Sequence, residues 1–139
     1  MPEAAEKIFG AANLIAVSGW AALAFAPKWR HAVVFAGRFV PALLGVLYGG
    51  LIAARFARGE GGFGSLADVA ALFGDPWLLL AGWIHYLAFD LVVGAWATTD
   101  ARTRGVPHAA VLPCLALTFL FGPVGFLLHL GLRRGLARG

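Results

Sequence analysis

The sequence predicts an all-α integral membrane bundle of four transmembrane helices, at about residues 8–27, 33–56, 76–99 and 109–132, in a single domain over residues 1–139. Three observations predict it. Of the 139 residues, 60% are hydrophobic and only 13% charged, where a soluble domain has about half and about a quarter. Mean hydropathy is +0.81. The few charges bracket apolar runs of roughly the 20 residues a spanning helix needs, instead of spreading over a surface.

The first run lies between Lys7 and Lys28. It does not read as a cleaved leader, because its flank Met1–Lys7 has two acids against one lysine. Pro27 ends it, and Trp29 between Lys28 and Arg30 reads as an interfacial anchor. The second run is charge-free over 39–54 and reaches spanning length by starting near Val33 and carrying Arg38 in its outer turns. The Gly-rich segment 57–74 is the long loop, and Ser65-Leu66-Ala67-Asp68 predicts a short interfacial helix over Leu66–Phe73. Asp75-Pro76 reads as N-cap and first turn of the third helix, which only Asp90 interrupts. The fourth run, between Arg104 and Arg133, contains Pro113 and Pro123, which bend it.

One cysteine, Cys114, excludes an intramolecular disulfide framework, a cysteine zinc site and an iron–sulfur cluster held by this chain alone. The net charge of +4 reads as topology signal and anionic-lipid contact, with no nucleic-acid partner, because the bases sit at the edges of apolar runs. Lys7, Arg55, Arg58, Arg133, Arg134 and Arg138 fall on one side of a four-span bundle, six bases against five on the other. That bias puts both termini in the cytoplasm.

An ionisable side chain in the bilayer costs upward of about 2.5 kcal/mol, so each one is a candidate for function. His85 lies about 14 Å and Asp90 about 21 Å along the third helix from Pro76, some 140° apart around its axis. Both are placed to border one cavity. Asp90 shares a stripe with Trp83 and Tyr86. The structural alternative for Asp90 is an ion pair with Arg38, and for His85 a hydrogen bond to Asn13. Asp100, Arg102 and His108 cluster in a short loop, where a solvated turn is the simpler reading. Cys114, Thr118, Gly122, Gly125 and His129 fall along one side of the fourth helix, a packing face or a seat for a flat ligand. His129, near the helix end, reads as reaching the headgroups.

Four histidines are too few for a histidine-box di-iron centre, and no nucleotide loop or serine elbow is present. The expectation is no cofactor and no metal. What remains is an acid/base pair, His85 and Asp90, in an apolar setting. Such a pair suits redox-neutral isomerisation of a hydrophobic substrate. Trp83, Tyr86, Phe89, Trp96, Phe119 and Phe121 are candidates to wall a groove for a polyene.

The stretch Trp77–Leu130 carries Gly82-Trp83-Ile84-His85-Tyr86-Leu87-Ala88-Phe89-Asp90, then Asp100, Arg102 and Gly105-Val106-Pro107-His108, then Leu112-Pro113-Cys114, Leu117-Thr118-Phe119 and Phe121-Gly122-Pro123-Val124-Gly125. These motifs resemble the abscisic-acid-deficient-four-like membrane proteins of plants and bacteria, with Asn13 and Ala26-Pro27-Lys28-Trp29 a looser match. The resemblance implies an isoprenoid ligand. Plant members are needed to convert violaxanthin to neoxanthin, which opens an epoxide and forms an allene without net redox change. By that resemblance His85 and Asp90 are the acid and base, and Asp100 and His108 bind a ring hydroxyl. The substrate-binding set is then Asn13, Arg38, Trp83, Tyr86, Phe89, Asp100, Arg102, His108 and Thr118. The Ala/Arg/Gly-rich composition suggests a bacterial chain in the plasma membrane, with membrane lipid around it and oligomerisation enlarging its cavity. Two alternatives stay open: a non-catalytic carotenoid or lipid carrier or assembly partner, and a metal- or haem-binding protein using His85.

Overall fold

The computed structural model describes residues 1–136. Every regular element is helical. Four segments are long and apolar enough to cross a membrane. They are α1 (Glu3–Phe25), α2 (Ala32–Arg58), α4 (Pro76–Thr103) and α5 (His108–Leu136), and a short helix α3 (Leu66–Leu72) lies in the long loop. The expected fold class therefore holds, with the spans extending a few residues beyond their charge-free runs.

The ends form as their residues dictate. Asp75 caps α4, its Oδ1 accepting from the Trp77 and Leu78 N–H groups at 2.7 and 3.1 Å, and Pro76 takes the first turn where its missing N–H costs nothing. Ser65 caps α3 by accepting from the Asp68 N–H at 3.1 Å. Helix α4 stops at Gly105, whose φ of +68° only glycine adopts cheaply. There Val106 N–H bonds the Ala101 carbonyl and Gly105 N–H the Arg102 carbonyl, a Schellman closure.

Helix α2 is not uniform. It opens as α-helix, widens to a π-helix over Phe35–Phe39, and resumes as α-helix over Val40–Arg55. Pro41 explains the widening, since it has no N–H to give the preceding turn and its ring crowds the carbonyl four residues back. The π turn carries Arg38.

Helix α4 is the central post. Leu91 sits where a side chain on Gly19 of α1 would be, and Trp20 sits against Gly94. Gly37 of α2 leaves room for Ala95 alone. Ala12, Ala16, Leu23, Ala36, Leu44, Ile84 and Leu91 are fully buried between these helices. Small residues at the contacts are what membrane helices use to approach closely.

Helix α5 departs from the expected course. A straight helix would carry His129 roughly 31 Å from His108. Instead His129 bonds Asp100, just before α4 ends. The cause is Phe121, whose φ of −145° and ψ of 71° break the helix. Two arms result, α5a up to Leu120 and α5b from Gly122. They fold back so tightly that a Cβ on Gly125 would strike the backbone and hydroxyl of Thr118 and the carbonyl of Cys114. Proceeding along α4 from Tyr86 through Asp90 and Trp96 to Asp100, the partners on α5 run from Leu120 through Gly122 and Phe126 to His129. Arm α5b therefore runs parallel to α4, back to the side from which α5a came.

This corrects the expected topology. The Met1 end and the Leu136 end lie on opposite sides, not together. Arg133 and Arg134 join the side of Lys28, Arg30, Arg102 and Arg104. Arg138, which the sequence count placed with them, lies outside the described residues.

Candidate functional site

The break in α5 meets α4 about halfway along the latter. Asp90 is the fifteenth of the 28 residues of α4. Its carboxylate fills the space over Gly122, so that any Cβ there would collide with it. Asp90 Oδ2 is buried and has no hydrogen-bond partner among the described residues. Gly122 begins α5b, with Pro123 next, so the carboxylate sits at the positive end of that arm's dipole. One turn away, the Tyr86 hydroxyl donates to the carbonyls of Leu120 and Phe119, at 3.1 and 3.3 Å. The break frees those carbonyls, and Tyr86 satisfies them. Tyr86→Phe should lower stability by about 1 kcal/mol, read as an earlier thermal unfolding midpoint in detergent.

An apolar groove of about 420 Å³ approaches this break between α1 and α5a. Val17, Trp20, Ala24, Leu112, Leu115 and Phe119 line it. Phe119 stands two residues before the break, its ring 5.8 Å from that of Trp20. Trp20 in turn packs on Gly94, one turn beyond Asp90.

His85 does not join Asp90. It is exposed on the side of α4 that faces α2, 4.7 Å from the Phe89 ring and 5.6 Å from Tyr48. It borders two cavities of about 230 Å³ each, and Asp90 lines neither. The wide angular separation of positions five apart is what keeps the two groups on different faces. The alternative partners also differ from expectation. Arg38 is exposed and makes no ion pair with Asp90, because the π turn aims it outward at the level of Trp96 and Thr99. Asn13 bonds Trp83, not His85: its Oδ1 accepts from the indole Nε1 at 3.1 Å, and its Nδ2 donates to the Phe9 carbonyl at 2.8 Å. Trp83 stacks on Tyr86 with centroids 5.2 Å apart.

The loop trio also separates. Asp100 is held by three side chains: Arg104 Nε and His129 Nε2 at 3.0 Å, and Arg133 Nη1 at 3.1 Å. Arg102 donates to the Pro27 carbonyl at 3.0 Å, and His108 Nε2 lies 3.0 Å from the Ala24 carbonyl, to which it donates. Those two tie the ends of α4 and α5a to the end of α1. Thr118 is buried and donates to the Cys114 carbonyl at 2.7 Å.

The sequence reads His129 as reaching the headgroups and Arg133 as a boundary charge, and the structure instead closes both on Asp100. With the Trp96 ring 5.4 Å from His129 and 5.7 Å from the Arg133 guanidinium, they latch α5b onto α4. The signal was Phe121-Gly122-Pro123, which reads as a bend but breaks the helix completely. Among the described residues, no three of His, Cys, Asp and Glu converge as metal ligands.

Fold and site together define a small helical membrane protein in which one helix holds a carboxylate at mid-depth against the break in another. Residues 7–129 match the family described as ABA DEFICIENT 4-like, and the chain belongs to that family. No curated protein and no solved structure matches it.

Proposed function

We propose that the chain binds an extended isoprenoid of the carotenoid kind in the groove between α1 and α5a, and rearranges it without net redox change at Asp90. The observation that carries this reading is the Asp90 carboxyl lodged over Gly122 at the break in α5. Family membership supports the substrate class. The mid-membrane position supports a hydrophobic ligand.

Epoxide opening to an allene needs one proton delivered to oxygen and one removed from carbon. His85 faces away, so Asp90 serves both steps. Protonated Asp90 gives its proton to the epoxide oxygen as the C–O bond breaks. The resulting carboxylate then takes the proton from the neighbouring polyene carbon as the allene forms. Protons balance, and the enzyme returns to its starting state. Tyr86 holds the break open and fixes where the carboxyl stands.

Purified protein given an epoxy-carotenoid in detergent, with products resolved by chromatography and absorption, tests this. Asp90→Asn should lower turnover at least about a hundredfold, while His85→Ala should change it little. Full turnover by Asp90→Asn would sink the assignment. A carrier role is the second reading, favoured by the groove's lining, which contains no ionisable side chain. Retention of pigment by wild type without any product would decide for it.

A further inference from the structure

The return of α5b redistributes charge. Among the described residues, the side to which it returns carries seven Lys and Arg and a single acid, Asp100, whereas the opposite side carries three Lys and Arg against five acids. Asp100 is already engaged by Arg104, His129 and Arg133. Arg102 is spent on the Pro27 carbonyl. Arg38 is left with neither an ion pair nor a hydrogen bond among the described residues.

Its position is specific. Arg38 lies about 9 Å inside the start of α2 at Ala32, below the level of the loops. A guanidinium at that depth is costly unless it reaches an anion or the headgroups. The π turn of Phe35–Phe39 and the tight Gly37–Ala95 contact fix its direction. It opens onto a cleft of about 200 Å³ between α2 and α4, whose other walls are Val33, Gly37, Val92, Ala95, Trp96 and Thr99. The cleft is apolar below and cationic above, and the Trp96 ring links it to the Arg133 guanidinium 5.7 Å away. That is the profile of one lipid: phosphate above, acyl chain below.

We infer that this cleft binds an anionic phospholipid, its phosphate on the Arg38 guanidinium and an acyl chain running down past Ala95 and Val92. The bond is a charge-assisted one that the planar fork of arginine suits better than lysine does. The inference is independent of the isoprenoid reading, because the cleft contains none of the groove residues.

The full chain reconstituted in phosphatidylcholine vesicles containing phosphatidylglycerol, then released for native mass spectrometry, tests it. Wild type should retain phosphatidylglycerol in preference to phosphatidylcholine. Arg38→Gln should weaken that retention about fivefold or more, and Arg38→Lys should weaken it partly. Arg30→Gln should leave it close to wild type. Inorganic phosphate added to the vesicles should not displace the lipid. If Arg38→Gln fails to fold, the Arg38→Lys comparison stands in its place. Wild-type retention by Arg38→Gln or, where that fails to fold, by Arg38→Lys overturns the inference. So does an equal loss in Arg30→Gln, or displacement by free phosphate.

Discussion

Asp100→Ala is expected to release the returning arm of α5 and to cost about 2–4 kcal/mol, between the values of an exposed and a fully buried ion pair. The Asp100 side chain is 13% exposed, and its partners range from His129 at 2% to Arg104 at 46%. Most of the loss therefore comes from His129 and Arg133, the two less exposed partners, which are left without their hydrogen-bond acceptor. Arg104 contributes little, since water already screens it. The check is thermal or denaturant unfolding of the variant beside wild type, with Glu3→Ala as control. Glu3 pairs only with the exposed Lys7, side chains 82% and 75% exposed, so its loss should change nothing measurable. A variant at position 100 that unfolds with the control would remove Asp100 from its role as latch.

Gly125→Ala is expected to be the second large loss, about 3 kcal/mol or more, by overpacking. The added methyl would meet the Thr118 backbone and the Cys114 carbonyl, and neither can rotate away. Gly122→Ala differs in kind, since it meets only the Asp90 side chain. Its cost should fall when Asp90→Ala is added, whereas Gly125→Ala has no such rescue. Gly10 and Gly45 face open space. Alanine there should be neutral or stabilising by up to about 1 kcal/mol through helix propensity. Unfolding midpoints of these four glycine variants, of Asp90→Ala and of its double with Gly122→Ala check the series.

The fold class was legible because the bilayer leaves a chain this apolar few options, and the brackets of charge mark the helix ends. The caps at Ser65 and Asp75 were legible because capping is local chemistry. The course of α5 was not. Two prolines predict bends, but whether a bend becomes a reversal depends on what stands opposite. Here it is Asp90 over Gly122, Tyr86 on the freed carbonyls, and Asp100 waiting for His129. Those are contacts over 29 to 34 positions in sequence, invisible to local pattern. The expectation that both ends share a side fails for the same reason, since it takes α5 to cross.

The candidate site divides in the same way. Asp90 was singled out by the expense of a carboxylate in lipid, and it sits at the break. His85 was singled out by the same expense, yet it faces α2. Its proposed partnership needed an angle that only the packing of α4 against two different neighbours decides. The alternative of an Arg38–Asp90 ion pair rests on similar depth alone, and the π turn before Pro41 turns Arg38 away from Asp90.

The folded-back helix also gives the molecule a shape. The half of the membrane nearer Asp100 is threaded by five helical rods, α1, α2, α4 and both arms of α5. The other half holds three, with α3 at its edge. At a diameter of about 10 Å each, two extra rods add on the order of 150 Å² to one leaflet's share of the cross-section. The protein is a wedge, broad on its basic side. Such a wedge packs most comfortably where that leaflet is the expanded one, so membrane curvature, as well as charge, should bias where it resides.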